Sequence, residues 1–207
     1  MKYLIPFLLI VLMPTLQADE LDLLQTLEKI KSSNTRTEAS IDAGDARALL
    51  CKYCHGEDGN SKKDTIPNLA GQNVTYLIRQ FEYFASGERK NKTMNQVAKI
   101  LSPEDRVNIA LFYSSQKVKQ QEPYRPGLYE QGKKLFRTRC FICHGLDGHG
   151  KEDLPRIAGQ PAQFLKTTLS SYNSSLVKRA QTQMSAIART LSEDDIEAVT
   201  SYLTTLP

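Results

Sequence analysis

The sequence predicts an all-α protein of two tandem domains, each a few helices, with a short extra helical segment ahead of them. Apolar residues recur three and four positions apart and nowhere alternate at period two for long, which argues against strands. A set of short motifs occurs twice, Cys51-Lys52-Tyr53-Cys54-His55-Gly56 returning as Cys140-Phe141-Ile142-Cys143-His144-Gly145. A helix with a strong start signal follows late in each copy. The composition fits: 207 residues, 40% hydrophobic and 24% charged, with a net charge of +4, is too apolar and too weakly charged for a disordered chain. There is no dense Lys/Arg run and no Trp, so nucleic acid is not an expected partner. With 11 Gly, 9 Pro and 4 Cys, collagen-like and disulfide-framework classes are excluded as well.

In chain order, residues 1–18 read as a cleavable export signal: Lys2, an apolar stretch from Tyr3 to Met13, and a small residue, Ala18, before Asp19-Glu20. A membrane anchor is the alternative, but the stretch falls short of the roughly 20 residues a span needs and carries Pro6 and Pro14. No later segment is long and apolar enough to span, so the expected location is the periplasm, with at most peripheral membrane association. Residues 19–40 form an N-terminal extension. A short helix over 20–31 would show one side lined by Leu21, Leu24 and Leu27 or by Leu23, Leu27 and Ile30, and Ser32 to Ser40 reads as a polar linker. That helix is expected to dock on the first domain, with a partner-contact surface as the other possibility.

The first domain, 41–120, is expected to open with a helix from about Ala43 into the Cys pair. A helix over Val74 to Ala85 follows, with Leu77, Gln80, Phe81 and Phe84 at helical spacing. Ser102-Pro103-Glu104-Asp105 then starts a third helix, with Ser at the N-cap, Pro at N1 and acids in the first turn; Val107, Ala110, Leu111 and Ser114 share a face. A polar, Pro-rich stretch from Gln116 to Pro126 separates the halves. The second domain, 121–207, repeats the order: a helix from about Leu128, one over Ala162 to Tyr172, and one after Ser192 presenting Ile196, Val199, Tyr202 and Leu203. Domains of about 80 residues have marginal cores. A large covalent cofactor would supply the missing apolar contact.

The Cys-x-x-Cys-His spacing is the attachment sequence for c-type haem. Cys at i and i+3 lie on one helical turn, so each thiol can add to one porphyrin vinyl group, and His at i+4 is placed under the ring to ligate the iron. Three other readings compete. Paired Cys-x-x-Cys zinc sites usually sit about 15–20 residues apart, whereas here a domain boundary intervenes. A redox dithiol would need a βαβ context. Disulfides within each pair would leave both His residues unexplained. The inventory favours haem. All four Cys and two of the three His lie in the motifs, and past residue 18 the chain has only two Met, Met94 and Met184, at matched positions after them. These two Met are expected to supply sulfur to the opposite face of each iron. His149, the leftover histidine, reads as an exposed loop residue.

A second repeat, Ile66-Pro67-Asn68-Leu69-Ala70-Gly71-Gln72 against Leu154-Pro155-Arg156-Ile157-Ala158-Gly159-Gln160, and the spaced Met before a Leu-Ser-capped helix complete a pattern that resembles the di-haem cytochrome c4 family. That family has two class I cytochrome c domains in one chain. The resemblance runs from about Asp42 to Leu206. It implies two covalent haem c groups, on Cys51 and Cys54 and on Cys140 and Cys143. It implies axial pairs His55/Met94 and His144/Met184, with the carbonyls of Pro67 and Pro155 accepting the proton of each ligand His. Two departures stand out: Gly87 becomes Val177 in a second copy two residues longer there, and residues 20–40 exceed what the family usually carries.

An iron held by two protein ligands has no open site for oxygen, peroxide or another small-molecule substrate, but it can change between Fe(II) and Fe(III) with little rearrangement. The expectation is therefore an electron carrier. The resemblance implies shuttling from a quinol-oxidising cytochrome complex to a terminal oxidase. An electron-transfer subunit of a larger oxidoreductase and a di-haem peroxidase are the rivals. Lys62-Lys63 and Arg89-Lys90 with Lys92 are basic clusters that could guide docking, though solvated surface is the plainer reading.

Overall fold

A computed structural model describes residues 15–173 and 183–207. Most of the expected export signal, residues 1–14, lies outside the described residues, as does Val177 with its surrounding insertion. Among the described residues the chain is helical and contains no strand, only an isolated bridge between Lys151 and Leu154. None of these helices is long and apolar enough to cross a membrane.

The first half contains α1 (Thr15–Lys31), α2 (Asn34–Arg47), α3 (Leu49–His55), α4 (Val74–Ser86), α5 (Lys92–Ile100) and α6 (Pro103–Ser115). After a 3-10 turn at Pro126–Leu128, the second half repeats the last five as α7 (Tyr129–Arg139), α8 (Phe141–His144), α9 (Ala162–Asn173), α10 (Gln183–Ala188) and α11 (Glu193–Leu203). The expected helix starts at Ser102 and Ser192 are both present as reciprocal capping boxes. Ser102 accepts from the Asp105 N–H while Asp105 accepts from the Ser102 N–H, and Ser192 and Asp195 do the same.

Two expectations need correction. Ser32 to Ser40 is not a linker: α2 is capped by Ser33 and runs unbroken from Asn34. Its inward face is Ser40, Gly44 and Ala48, four residues apart and small, so no hydrophobic stripe announced it. Small residues allow a close helix crossing in each half. A Cβ on Gly44 would stand 2.6 Å from the Asn108 carbonyl carbon of α6, and one on Gly132 of α7 the same distance from that of Ala198 in α11. Second, α6 has no single buried face; Val107 through Tyr113 are all buried, because α1, α2 and α4 surround it.

Of the two stripes offered for the extension, the structure selects Leu23, Leu27 and Ile30, packed with α4 and α6 in the first core. The extension thus docks on the first half. The second core gathers Phe136, Leu165, Leu169, Leu191, Ile196, Val199, Tyr202 and Leu203. Arg79 of α4 ties three segments together, donating to Glu20 of α1 at 2.6 Å and pairing with Asp153 of the second half. The Phe164 N–H donates to the Asp64 carbonyl, and the Asn73 amide to the carbonyls of His149 and Leu154, so the halves meet along their motif loops.

Candidate haem sites

Each site is built on one turn of helix. Cys51, Cys54 and His55 lie in α3, and i, i+3 and i+4 share a face. In the second half Cys140 caps α7 and leads straight into α8, which holds Cys143 and His144. No two of the four cysteine sulfurs are joined, so neither pair is a disulfide. Burial pushes the Cys51 thiol up, and that of Cys140 to about 11, which leaves them protonated and poor redox nucleophiles. The two pairs do not converge: among the described residues no three His, Cys, Asp or Glu side chains form a cluster that could hold a metal, which removes the shared zinc site.

The two histidines are buried and held alike. His55 Nδ1 lies 2.9 Å from the Pro67 carbonyl, and His144 Nδ1 2.9 Å from that of Pro155. A carbonyl can only accept, so Nδ1 carries the proton and Nε2 keeps its lone pair for a metal. Burial lowers the pKa of both rings, against the Pro carbonyl bond and, at His55, with help from Arg89; both therefore rest as neutral imidazole, the ligating form.

Met94 sits in the first turn of α5, whose N-cap Asn91 accepts from the Met94 N–H at 3.0 Å. Met184 is the second residue of α10. Both are partly buried: Met94 packs with Cys51 against the first core, and Met184 with Cys140 against the second. Neither α5 nor α10 was expected from the sequence, although Asn91 followed by Met94, Val97, Ala98 and Leu101 at helical spacing was a readable signal for the first.

The residues fit a haem. The donor set is two thiols, an imidazole with Nε2 free and a thioether in each half. Two buried donors beside the motifs also lack a protein partner: Arg156 Nε, one residue after Pro155, and the Tyr113 hydroxyl, held above its ordinary pKa by burial and then by Cys51. His149 is half-exposed in its loop, with Nδ1 3.2 Å from Asp147 and Nε2 2.8 Å from the Pro207 carbonyl oxygen, so it takes no part in either site. Of the basic clusters, Lys62 and Lys63 are exposed, but Arg89 is engaged, donating to Gln80 and stacking on Phe84. The sequence shows Gln72 and Gln160 only as repeated residues; in the structure each crosses to the other half and bonds the backbone just past its Pro.

The cytochrome c family profile matches residues 129–207. Cytochrome c4 of Pseudomonas aeruginosa is 34% identical over 173 residues, covering 78% of this chain and 86% of the relative. A thiosulfate dehydrogenase electron acceptor of Stutzerimonas stutzeri is 30% identical over 168 residues, covering 75% and 78%. The crystal structure of reduced recombinant cytochrome c4 from Pseudomonas stutzeri superposes with a TM-score of 0.75 at 32% identity, over 80% of this chain and 98% of that one. Family, fold and motif geometry agree, and the chain belongs to the cytochrome c4 family, di-haem c-type cytochromes that transfer electrons rather than catalyse.

Proposed function

We propose that this chain is a periplasmic electron shuttle with one haem in each of two domains, 41–120 and 121–207, released by cleavage after Ala18. Cys51 and Cys54, and Cys140 and Cys143, form the thioether links; His55 with Met94, and His144 with Met184, are the axial pairs. The haem supplies a one-electron Fe(II)/Fe(III) couple. The chain's part is to fill both axial positions, exclude other ligands, and set the potential. Thioether sulfur favours Fe(II) and so raises it, while the Pro67 and Pro155 carbonyls make each imidazole a stronger donor and moderate that rise. The observation that carries the reading is the pair of matching 2.9 Å His–Pro hydrogen bonds, each in a half that also supplies one methionine to its core edge.

The donor is proposed to be a quinol-oxidising cytochrome complex and the acceptor a terminal oxidase. A second reading has specific support: relatives named as thiosulfate dehydrogenase electron acceptors, 30% and 28% identical, favour a role as the acceptor for a periplasmic dehydrogenase. Intact mass should show two covalent haems and no residues 1–18, and a potentiometric titration followed by absorbance should resolve two high-potential one-electron steps. Apoprotein mass with free thiols, or rapid stoichiometric carbon monoxide binding by the reduced native protein, would overturn the shuttle. Stopped-flow reduction by a quinol-oxidising complex against reduction by a dehydrogenase separates the two donors.

A further inference from the structure

Each copy of the repeated heptapeptide ends in a glutamine that serves the other domain. Gln72, 4% exposed, accepts through Oε1 from the Arg156 N–H at 2.7 Å and donates through Nε2 to the Arg156 carbonyl at 2.9 Å. Gln160, 3% exposed, accepts from the Asn68 N–H and donates to the Asn68 carbonyl, both at 3.0 Å. The two clasps are related by the repeat. The Arg156 N–H belongs to the same peptide group as the Pro155 carbonyl that accepts from His144, and the Asn68 N–H to the same group as the Pro67 carbonyl that accepts from His55. One planar amide therefore stands between each candidate iron ligand and a buried side chain of the opposite domain.

We propose that Gln72 and Gln160 are positioning residues that act across the domain joint, Gln72 on the donor strength of His144 and Gln160 on that of His55. The inference rests on His55 and His144 being the iron ligands. An amide is resonant, so a hydrogen bond donated by its N–H shifts electron density onto its carbonyl oxygen. The carbonyl then draws the Nδ1 proton more strongly, and the imidazole becomes a better donor through Nε2. A better donor favours Fe(III), so each clasp holds down the potential of the haem in the other domain. Hydrogen bonds in a chain strengthen one another by roughly 10–30%. We take this as about a threefold change in the Fe(III)/Fe(II) ratio at fixed ambient potential, or about 28 mV at 59 mV per tenfold for one electron.

Gln72→Met and Gln160→Met each remove both bonds of one clasp while keeping a long side chain. They are made in the full-length di-haem protein, with the two potentials resolved by titration and assigned in a Met94→His background. Gln72→Met should raise the second-domain potential by about 28 mV and leave the first unchanged, and Gln160→Met should do the reverse. Asn73→Ala removes the side-chain contacts to His149 and Leu154 but keeps the Asn73 N–H that donates to Gln72 Oε1, and should shift neither. A shift confined to the variant's own domain, an equal shift of both haems, or no shift overturns the proposal. A mutation-free measurement stands beside these. By linkage, reduction must weaken the clasps, so the Asn68 and Arg156 amides should exchange with solvent about threefold faster in the reduced protein; equal rates count against the idea. Absence of two His/Met haem spectra in the unmutated protein would instead refute the ligand assignment.

Discussion

Gly132→Ala tests whether the α7–α11 crossing holds the second domain together. In an open helix this change stabilises by about 1 kcal/mol, because Gly is the costlier residue there. At this crossing the new Cβ would stand 2.6 Å from the Ala198 carbonyl carbon, closer still to its oxygen, and 2.9 Å from Tyr202 Cβ. Ordinary contact needs about 3.5 Å, so the helices must part by roughly 1 Å. Overpacking costs about 1–3 kcal/mol, and the upper end applies because the obstacle is backbone and cannot rotate away. The net is a loss of about 2 kcal/mol, equivalent to a fall of about 8–16 °C in the melting temperature of a domain this size. Gly127→Ala is the control, since a Cβ there meets nothing within 4 Å. Thermal unfolding of the di-haem protein by circular dichroism reads the difference. A Gly132→Ala protein as stable as Gly127→Ala would refute the claim that close helix approach fixes the turn bearing Cys140 and His144.

Met94→His should lower the potential of the first haem by a sizeable part of the roughly 0.8 V that axial ligands command, leaving the second nearly unmoved; a shift in neither would remove Met94 from the ligand set. Glu82→Ala should cost about 3 kcal/mol by chemical denaturation, because it strands the partly buried Arg106 that also holds the Ala98 carbonyl of the Met94 helix; a loss under about 1 kcal/mol would show the pair to be dispensable. Burial raises the Glu197 carboxyl, but its hydrogen bond and ion pair with Lys166, helped by Arg125, outweigh this and hold it below its ordinary 4.5. A carboxyl depressed by folding contributes stability that is full above its unfolded pKa and lost as pH falls through the folded one. Glu197→Gln should therefore flatten the acid limb of the second domain's stability profile below about pH 4.5, and an unchanged limb would contradict it.

What could be read from the sequence was what is decided locally. The thiol and imidazole spacing, the two Ser caps and the stripe of α4 are set by neighbours three or four residues away, and each appears in the structure where its residues placed it. The unreadable parts depend on distant partners. α2 hid because its inner face, Ser40, Gly44 and Ala48, is chosen for smallness against α6 and not for hydrophobicity. The burial of α6 on all sides follows from α1, α2 and α4 packing around it, which no periodicity in α6 encodes. Gly44 and Gly132 recur 88 positions apart inside helices, where Gly is costly, and that was a signal for close crossings. The glutamines are the extreme case, since their bonding partners lie 84 and 92 residues away.

The repeated heptapeptide joins the two halves through reciprocal hydrogen bonds. Its Pro carbonyl holds the motif histidine, its next residue offers a backbone N–H and carbonyl to the opposite glutamine, and its own glutamine completes the reciprocal bond. Between the copies, Val118 of the connecting segment lies against both motif glycines, Gly71 and Gly159, so the linker fills the joint that it spans. The segment that organises each site is thus also the surface by which the sites are joined. Duplication alone would leave the two halves equal, but the residue inside each clasp differs: neutral Asn68 in the first, and in the second Arg156, a buried cation one residue from the carbonyl that holds His144. A buried positive charge favours the reduced, less positive iron. The frame is symmetric, and what distinguishes the two halves at this point is the residue that the frame carries.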